Sequence, residues 1–199
     1  MIDVIAIGAN VGNTDNDPVW SMLLKDNHLT AYLIEPNPKA YEKLVENCKP
    51  FPNVKCFNLA VANTDGTALL YVDNYHNSEG VSQHASCSYE QIMHDHSEDE
   101  FLPTAVECKQ VTLHSFLKGE GIEDQDIKLL VIDTEGYDEQ IIKSINFDLV
   151  KVTAVIFEYS HIGGPHAANT ERMSKIANYF KSFGFNLSIL NSEDAIATR

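Results

Sequence analysis

The sequence predicts an α/β fold built on a doubly wound, mostly parallel sheet, with an antiparallel C-terminal strand and an inserted hairpin and loop. Three observations carry that expectation. Short apolar runs alternate with amphipathic stretches along most of the chain, the pattern of repeated β-α-β units. The first run, from Ile2 to Ile7, passes directly into Gly8-Ala9-Asn10-Val11-Gly12. A glycine-rich turn between strand and helix lets backbone approach a bound nucleoside closely. Glu35, Asp133 and Glu158 each close an apolar run, and open parallel sheets bind ligands beyond the carboxyl ends of their strands.

The elements follow in order. Asp17-Pro18 supplies an N-cap and a proline at the first helical position, starting a helix through Val19, Met22 and Leu23. Residues 28–35 read as the second strand, and Asn37-Pro38 repeats the helix start. Tyr41, Leu44, Val45 and Cys48 fall at i, i+3, i+4 and i+7, one buried helical face. Pro50 and Pro52 end that helix. Residues 54–61 read as a third strand, and Thr64-Asp65-Gly66 as a turn into a strand over 67–72. From 73 to 104 the chain is rich in Asn, Ser, His, Asp and Glu without apolar periodicity. A loop of that length is functional or disordered, and residues 74–104 are read as a lid or acceptor-binding segment. Residues 106–112 restore strand character and 113–117 open a short helix. The run from Ile127 to Asp133 is continuously apolar apart from Lys128, as a central parallel strand buried on both faces requires. Tyr137, Ile141, Ile142 and Ile145 form the inner face of the next helix, and residues 152–158 another core strand. Thr170 caps a helix through Met173, Ile176, Ala177 and Phe180, stopped at Gly184. Phe185, Leu187 and Ile189 alternate as the final strand. No internal repeat or linker interrupts this order, so residues 1–199 are expected to form one domain.

The chain has 199 residues, of which 44% are hydrophobic, enough for a sizeable core. No apolar run approaches the roughly 20 residues of a membrane span. The N-terminus lacks a basic stretch followed by an apolar one, and strand-like sequence begins at Ile2, so no secretory leader is expected. Cys48, Cys56, Cys87 and Cys108 are scattered without a C-x-x-C pair, which points to reduced thiols in a cytoplasmic setting. Fourteen basic against 29 acidic side chains give a net charge of −15. Such a surface repels phosphate backbones, so neither nucleic acid nor membrane is an expected partner.

The turn itself discriminates between cofactors. A dinucleotide fingerprint needs G-x-G-x-x-G, whose second glycine admits the pyrophosphate. Asn10 occupies that place here, and no P-loop lysine follows. A Tyr-x-x-x-Lys pair, one hydride-transfer signature, is also missing, so NAD-dependent oxidoreduction is disfavoured. A cofactor without phosphates is expected, and S-adenosylmethionine is the common one.

The ordered set Gly8-Ala9-Asn10-Val11-Gly12, Glu35-Pro36-Asn37-Pro38, Asn58-Leu59-Ala60-Val61 with Asp65-Gly66, Val111-Thr112-Leu113, Ile132-Asp133-Thr134-Glu135-Gly136-Tyr137-Asp138 and Phe157-Glu158 resembles the FkbM-type methyltransferases. The resemblance runs from Ile5 to about His161. It implies a Rossmann-like class I fold that binds S-adenosylmethionine, releases S-adenosylhomocysteine and methylates a hydroxyl of a sugar, glycan or small metabolite. Carried over by position, Gly8, Ala9, Asn10, Gly12 and Asn13 would shape the methionine and ribose end of the pocket. Glu35 and Pro36 would hold the ribose, Asn58, Ala60 and Val61 would flank the adenine, and Asp133 would face the cofactor's amino group or the acceptor. Val131 stands where members often carry lysine, and His114 where they often carry aspartate; both departures bear on the substrate. A cofactor-binding but inactive scaffold or regulatory subunit is the competing reading.

Transfer of a methyl group from a sulfonium depends chiefly on alignment, worth on the order of 7 kcal/mol or more at best. An unactivated hydroxyl also benefits from a base. Asp133, Glu135, Glu158 and His161 lie at or just past two central strand ends and are the candidates. No metal is expected; the alternative is a divalent ion such as Mg2+ on Asp133 and Glu158, with Glu135 and His161 beside them. His76, His84, His94 and His96 read as surface residues of the long loop, although His94-x-His96 would share one side of a strand. Trp20 is assigned to the core, and the Tyr89 region to possible stacking on a sugar.

Overall fold

The computed structural model describes residues 1–13, 17–72, 85–87, 89–94, 103–162 and 170–199. In chain order the first half holds β1 (Ile2–Ile7), α1 (Pro18–Lys25), β2 (Ala31–Ile34), α2 (Pro38–Cys48), β3 (Val54–Phe57), β4 (Ala60–Val61) and β5 (Gly66–Val72). There follow β6 (Ala85–Ser86), α3 (Tyr89–His94), β7 (Thr104–Val111) and α4 (Leu113–Gly119). The remainder is β8 (Ile127–Ile132), α5 (Asp138–Ser144), β9 (Val152–Glu158), α6 (Thr170–Ser182), β10 (Asn186–Ile189) and β11 (Asp194–Thr198).

Seven strands form one sheet in the order β10-β11-β9-β8-β1-β2-β3. Strands β9, β8, β1, β2 and β3 run parallel, while β11 is antiparallel to both its neighbours. Side chains alternate between the faces of a strand, and the core divides accordingly. Ile5, Ile7, Leu130, Ile132 and Phe157 pack with Phe116, Ile141 and Phe180 from α4, α5 and α6. Val4, Ala6, Leu33 and Val131 pack with Val19 and Leu23 of α1 and Leu44 of α2. Helices thus cover both faces, which makes the sheet doubly wound. No helix among the described residues is long and apolar enough to cross a membrane.

The starts of α1 and α2 are where the sequence places them, whereas Thr170 is the first residue of α6 and not its cap. Asp17 Oδ1 accepts the amides of Val19 at 2.7 Å and Trp20 at 3.1 Å, with Pro18 in the first turn. Asn37 Oδ1 accepts the Lys39 amide at 3.1 Å, again before a proline. The buried stripe of α2 is shifted from expectation: Ala40, Leu44 and Cys48 are buried, whereas Val45 is 38% exposed. Trp20 is packed edge-on against Phe51, with ring centroids 5.3 Å apart.

Three other expectations change. The run over 54–61 is not one strand. Asn58 Nδ2 donates to the carbonyls of Glu35 and Pro36, the chain turns, and Ala60–Val61 pairs with β7. A second sheet, β4-β7-β5-β6, therefore stands beside the large one, so the insertion is more than a hairpin and a loop. The segment over 74–104 contains β6, α3 and the first residue of β7; residues 74–84, 88 and 95–102, with His76, His84 and His96, lie outside the described set, and His94 closes a helix instead of joining a strand. Finally, Phe185 to Ile189 does not hold the last strand: β11 follows it and inserts between β9 and β10.

Candidate functional site

The carboxyl ends of β1, β2 and β8 meet at one point. Gly8 follows β1 with φ +83°, a left-handed conformation that favours glycine. A Cβ there would overlap the carbonyl oxygen of Asp133, so glycine is what lets the ends of β1 and β8 approach. The amides of Gly8 and Ala9 donate to Ile34 O at 2.9 and 3.0 Å, which ties the turn to the end of β2. Gly12, with φ +74°, lies against Leu44 and Trp20.

Glu35 is 5% exposed and gripped by backbone at both oxygens. Oε2 accepts the Asn10 amide at 2.8 Å and Oε1 the Asn37 amide at 2.7 Å. Burial nonetheless raises its pKa to about 7, against the opposing pull of those two amides. Asp133, one residue past β8, is exposed and lines both clefts that open here. Its carboxyl is raised well above the ordinary value by desolvation, and then by the charges of Asp138, Glu135, Glu158 and Asp194. No side-chain hydrogen bond engages Asp133 among the described residues.

Two clefts open on this point. The inner one, about 680 Å3, runs over the ends of β1, β2 and β4 and is walled by Glu35, Asn37, Leu59, Val61, Leu70 and Tyr137. The outer one, about 1360 Å3, runs over β8 and β9 toward the start of α1 and the β10–β11 turn. Both are lined by Gly8, Asn10, Asp133 and Glu135. Among the described residues the outer cleft carries six carboxylates, from Asp17, Asp133, Glu135, Glu158, Glu193 and Asp194, and neither cleft is lined by lysine or arginine.

Beneath the outer cleft, Asp138 is a brace. It is 1% exposed; Oδ2 accepts the Thr134 hydroxyl at 2.7 Å and amide at 3.2 Å, while Oδ1 accepts the Glu158 amide at 3.3 Å. One side chain thus joins the turn after β8, the first turn of α5 and the end of β9. Burial, then the Thr134 hydrogen bond opposing it and the Glu158 charge adding to it, leave its pKa at about 7. His161 Nε2 lies 3.0 Å from Glu158 Oε1 and 3.6 Å from Glu135 Oε2. The Glu158 hydrogen bond raises the His161 pKa, desolvation opposes it, and the nearby Glu158, Glu135 and Asp138 charges add to the rise.

The FkbM methyltransferase domain profile matches residues 6–187. The chain belongs to the FkbM methyltransferase domain family. No curated protein matches the chain significantly. Among solved structures, methyltransferase FkbM from Methylobacillus flagellatus KT is similar with a TM-score of 0.56 at 7% identity, covering 100% of this chain and 43% of its own. The chain therefore spans less than half of that protein. The fibrillarin/Nop5p complex gives a TM-score of 0.50 at 13% identity, over 98% of this chain and 70% of that one. A putative methyltransferase from Streptococcus mutans, solved with S-adenosylhomocysteine, gives 0.45 at 11%, over 100% and 88%. The architecture is α/β with a mostly parallel sheet, similar to class I S-adenosylmethionine-dependent methyltransferases.

Within this FkbM domain, Gly8, Asn10, Glu35, Pro36, Ala60, Val61 and Asp133 line the inner cleft together. Ala9 lines only the outer one. Gly12, Asn13 and Asn58 line neither; Asn13 is exposed, and Asn58 acts on the backbone beneath Glu35. Glu135 and Glu158 face the outer cleft, with His161 held behind them. Sequence reasoning missed Asp17 as a wall residue, because its capping role accounts for it fully. It missed Glu193 and Asp194 because they end the turn into β11 and begin that strand, which the sequence did not reveal. Asp138 was in view in D-T-E-G-Y-D, but nothing in the sequence marks an acid near a helix start as buried.

Proposed function

We propose that this protein is an S-adenosylmethionine-dependent O-methyltransferase acting on a hydroxyl of a neutral sugar or small metabolite. The observation that carries the reading is Glu35. Each of its oxygens is spent once on a backbone amide, which fixes the carboxylate at the wall of the inner cleft with acceptor capacity left for a vicinal ribose diol. The residues present fit this cofactor: the apolar walls suit an adenine, and the lack of lysine or arginine among the described lining residues suits a nucleoside without phosphates. When bound, S-adenosylmethionine supplies an electrophilic methyl group and a neutral thioether leaving group.

The chain's own residues do the rest. Glu35 orients the nucleoside, and the Gly8–Asn10 turn forms the partition between the two clefts. Asp133 lies on that partition, where donor and acceptor meet. Its raised pKa suits it to take the acceptor's hydroxyl proton as the transfer proceeds. Asp138 holds the Asp133–Glu135 turn against β9, so the alignment on which most of the rate depends is built into buried structure. The six carboxylates of the outer cleft favour a neutral or cationic acceptor over a phosphorylated or carboxylated one.

Calorimetric titration with S-adenosylmethionine, S-adenosylhomocysteine and NAD tests the reading. Both sulfur nucleosides are expected to bind at one site per chain, and NAD is not. Failure of both to bind would sink it. With binding established, formation of S-adenosylhomocysteine is measured against neutral sugars and polyols, then against their phosphorylated forms, which are expected to be poor acceptors.

A further inference from the structure

We propose that Glu135, Glu158 and His161 form a binding site for a divalent first-row cation of the Mn2+ type, at the carboxyl ends of β8 and β9. The site does not depend on the methyl-transfer reading. Glu135 lies in the turn after β8, Glu158 closes β9, and His161 follows three residues later, so the topology of adjacent parallel strands brings all three together. One ligand atom from each lies within 4.8 Å of the other two. His161 Nε2 is 3.0 Å from Glu158 Oε1 and 3.6 Å from Glu135 Oε2. Around an ion with bonds of about 2.1 Å, neighbouring octahedral donors stand about 3 Å apart and opposite ones about 4 Å. The two separations from His161 fall in that range, and the third is within 4.8 Å.

A second observation points to a ligand. Glu158 Oε1 is engaged by the Ser160 hydroxyl at 2.5 Å and by His161, yet Glu158 Oε2 is buried without a hydrogen-bond partner among the described residues. A buried carboxylate oxygen without a donor is costly, and a cation satisfies it directly. The surroundings favour a cation too: Asp133 and Asp194 share the cleft wall, Asp138 sits beneath, and no lysine or arginine lines the cleft among the described residues. The donor set selects the ion. An imidazole with two carboxylates suits Mn2+, Fe2+ or Zn2+, whereas Mg2+ and Ca2+ prefer oxygen alone. Three protein donors leave positions open toward the outer cleft.

The test titrates metal-stripped protein with Mn2+ at pH 7.5, following the free ion by electron paramagnetic resonance. One saturable site per chain is expected. Glu158→Gln and His161→Gln should each weaken it at least tenfold, and Glu107→Gln, on the exposed face of β7, should leave it unchanged. Glu135→Gln, whose side chain is 32% exposed, serves as the variant least costly to folding. Calorimetry with S-adenosylhomocysteine on Glu158→Gln and His161→Gln, whose positions do not line the inner cleft, reports a folded inner cleft independently. Absence of saturable binding, or unchanged Mn2+ affinity in all three site variants, overturns the proposal. Loss of S-adenosylhomocysteine binding with Mn2+ binding intact would count against the proposed function alone.

Discussion

Burial lifts the Glu35 carboxyl to about 7 even though two amides oppose the shift, so its charge state changes within the ordinary working range of pH. Only the ionised form accepts hydrogen bonds at both oxygens while the Asn10 and Asn37 amides also donate. S-adenosylhomocysteine affinity is therefore expected to fall by up to about tenfold per pH unit below pH 7, and calorimetry at pH 8, 7 and 6 measures it. Glu35→Ala should cost about 1–3 kcal/mol of binding; unchanged affinity in a folded variant would misplace the nucleoside. Asp133→Asn keeps the shape of the partition and removes the base. Turnover should drop by about 100- to 10,000-fold while S-adenosylhomocysteine binds within a few-fold of the parent. At this scale the placement of Glu35 and Asp133 at one crevice was legible because several apolar runs stop at acids, and parallel strand ends converge. Asn13 and Asn58 were drawn in by neighbouring motif residues, and only tertiary placement shows that neither lines a cleft and that Asn58 bonds the backbone at Glu35 and Pro36.

At the level of elements, what could be read was what is local. Asp17-Pro18 and Asn37-Pro38 start helices because cap and proline chemistry needs no distant partner, and both helices are found. Strand β11 is different. Ala195 and Ala197 are fully buried against β9 and β10, but alanine carries little strand signal of its own. The break at Asn58 is likewise made by hydrogen bonds to residues more than twenty positions away. Small side chains in β11 are needed where Ala195 pairs with Phe157. Ala195→Leu should overpack that contact and cost about 1–3 kcal/mol, seen as a lower midpoint in chemical denaturation with an unchanged slope.

The whole molecule should respond to pH in a direction opposite to its ligand. Glu35 and Asp138 both have folded pKa values of about 7, whereas unfolded carboxylates titrate near 4. Between those limits the folded state binds more protons, so the contribution of these groups to stability rises as pH falls from above 7 toward 5. Each group contributes about 2 kcal/mol between pH 7.5 and 5.5. Unfolding of the ligand-free protein at those two values should show the gain, and Asp138→Asn should remove about one group's share. Saturation with S-adenosylhomocysteine should offset the trend, because the ligand favours ionised Glu35.

The placement of β11 also governs how the chain can be made. It lies between β9 and β10 but follows both in sequence, so a polypeptide emerging from the ribosome completes β9 and β10 before the strand that joins them exists. Throughout that interval β9 pairs with β8 on one side and offers bare amides and carbonyls on the other, beside Val155 and Phe157, which are fully buried in the finished sheet. An unpaired apolar edge is a template for another chain. Crowded polysomes and missing chaperones should therefore harm the yield of this protein more than the stability of its finished fold would indicate.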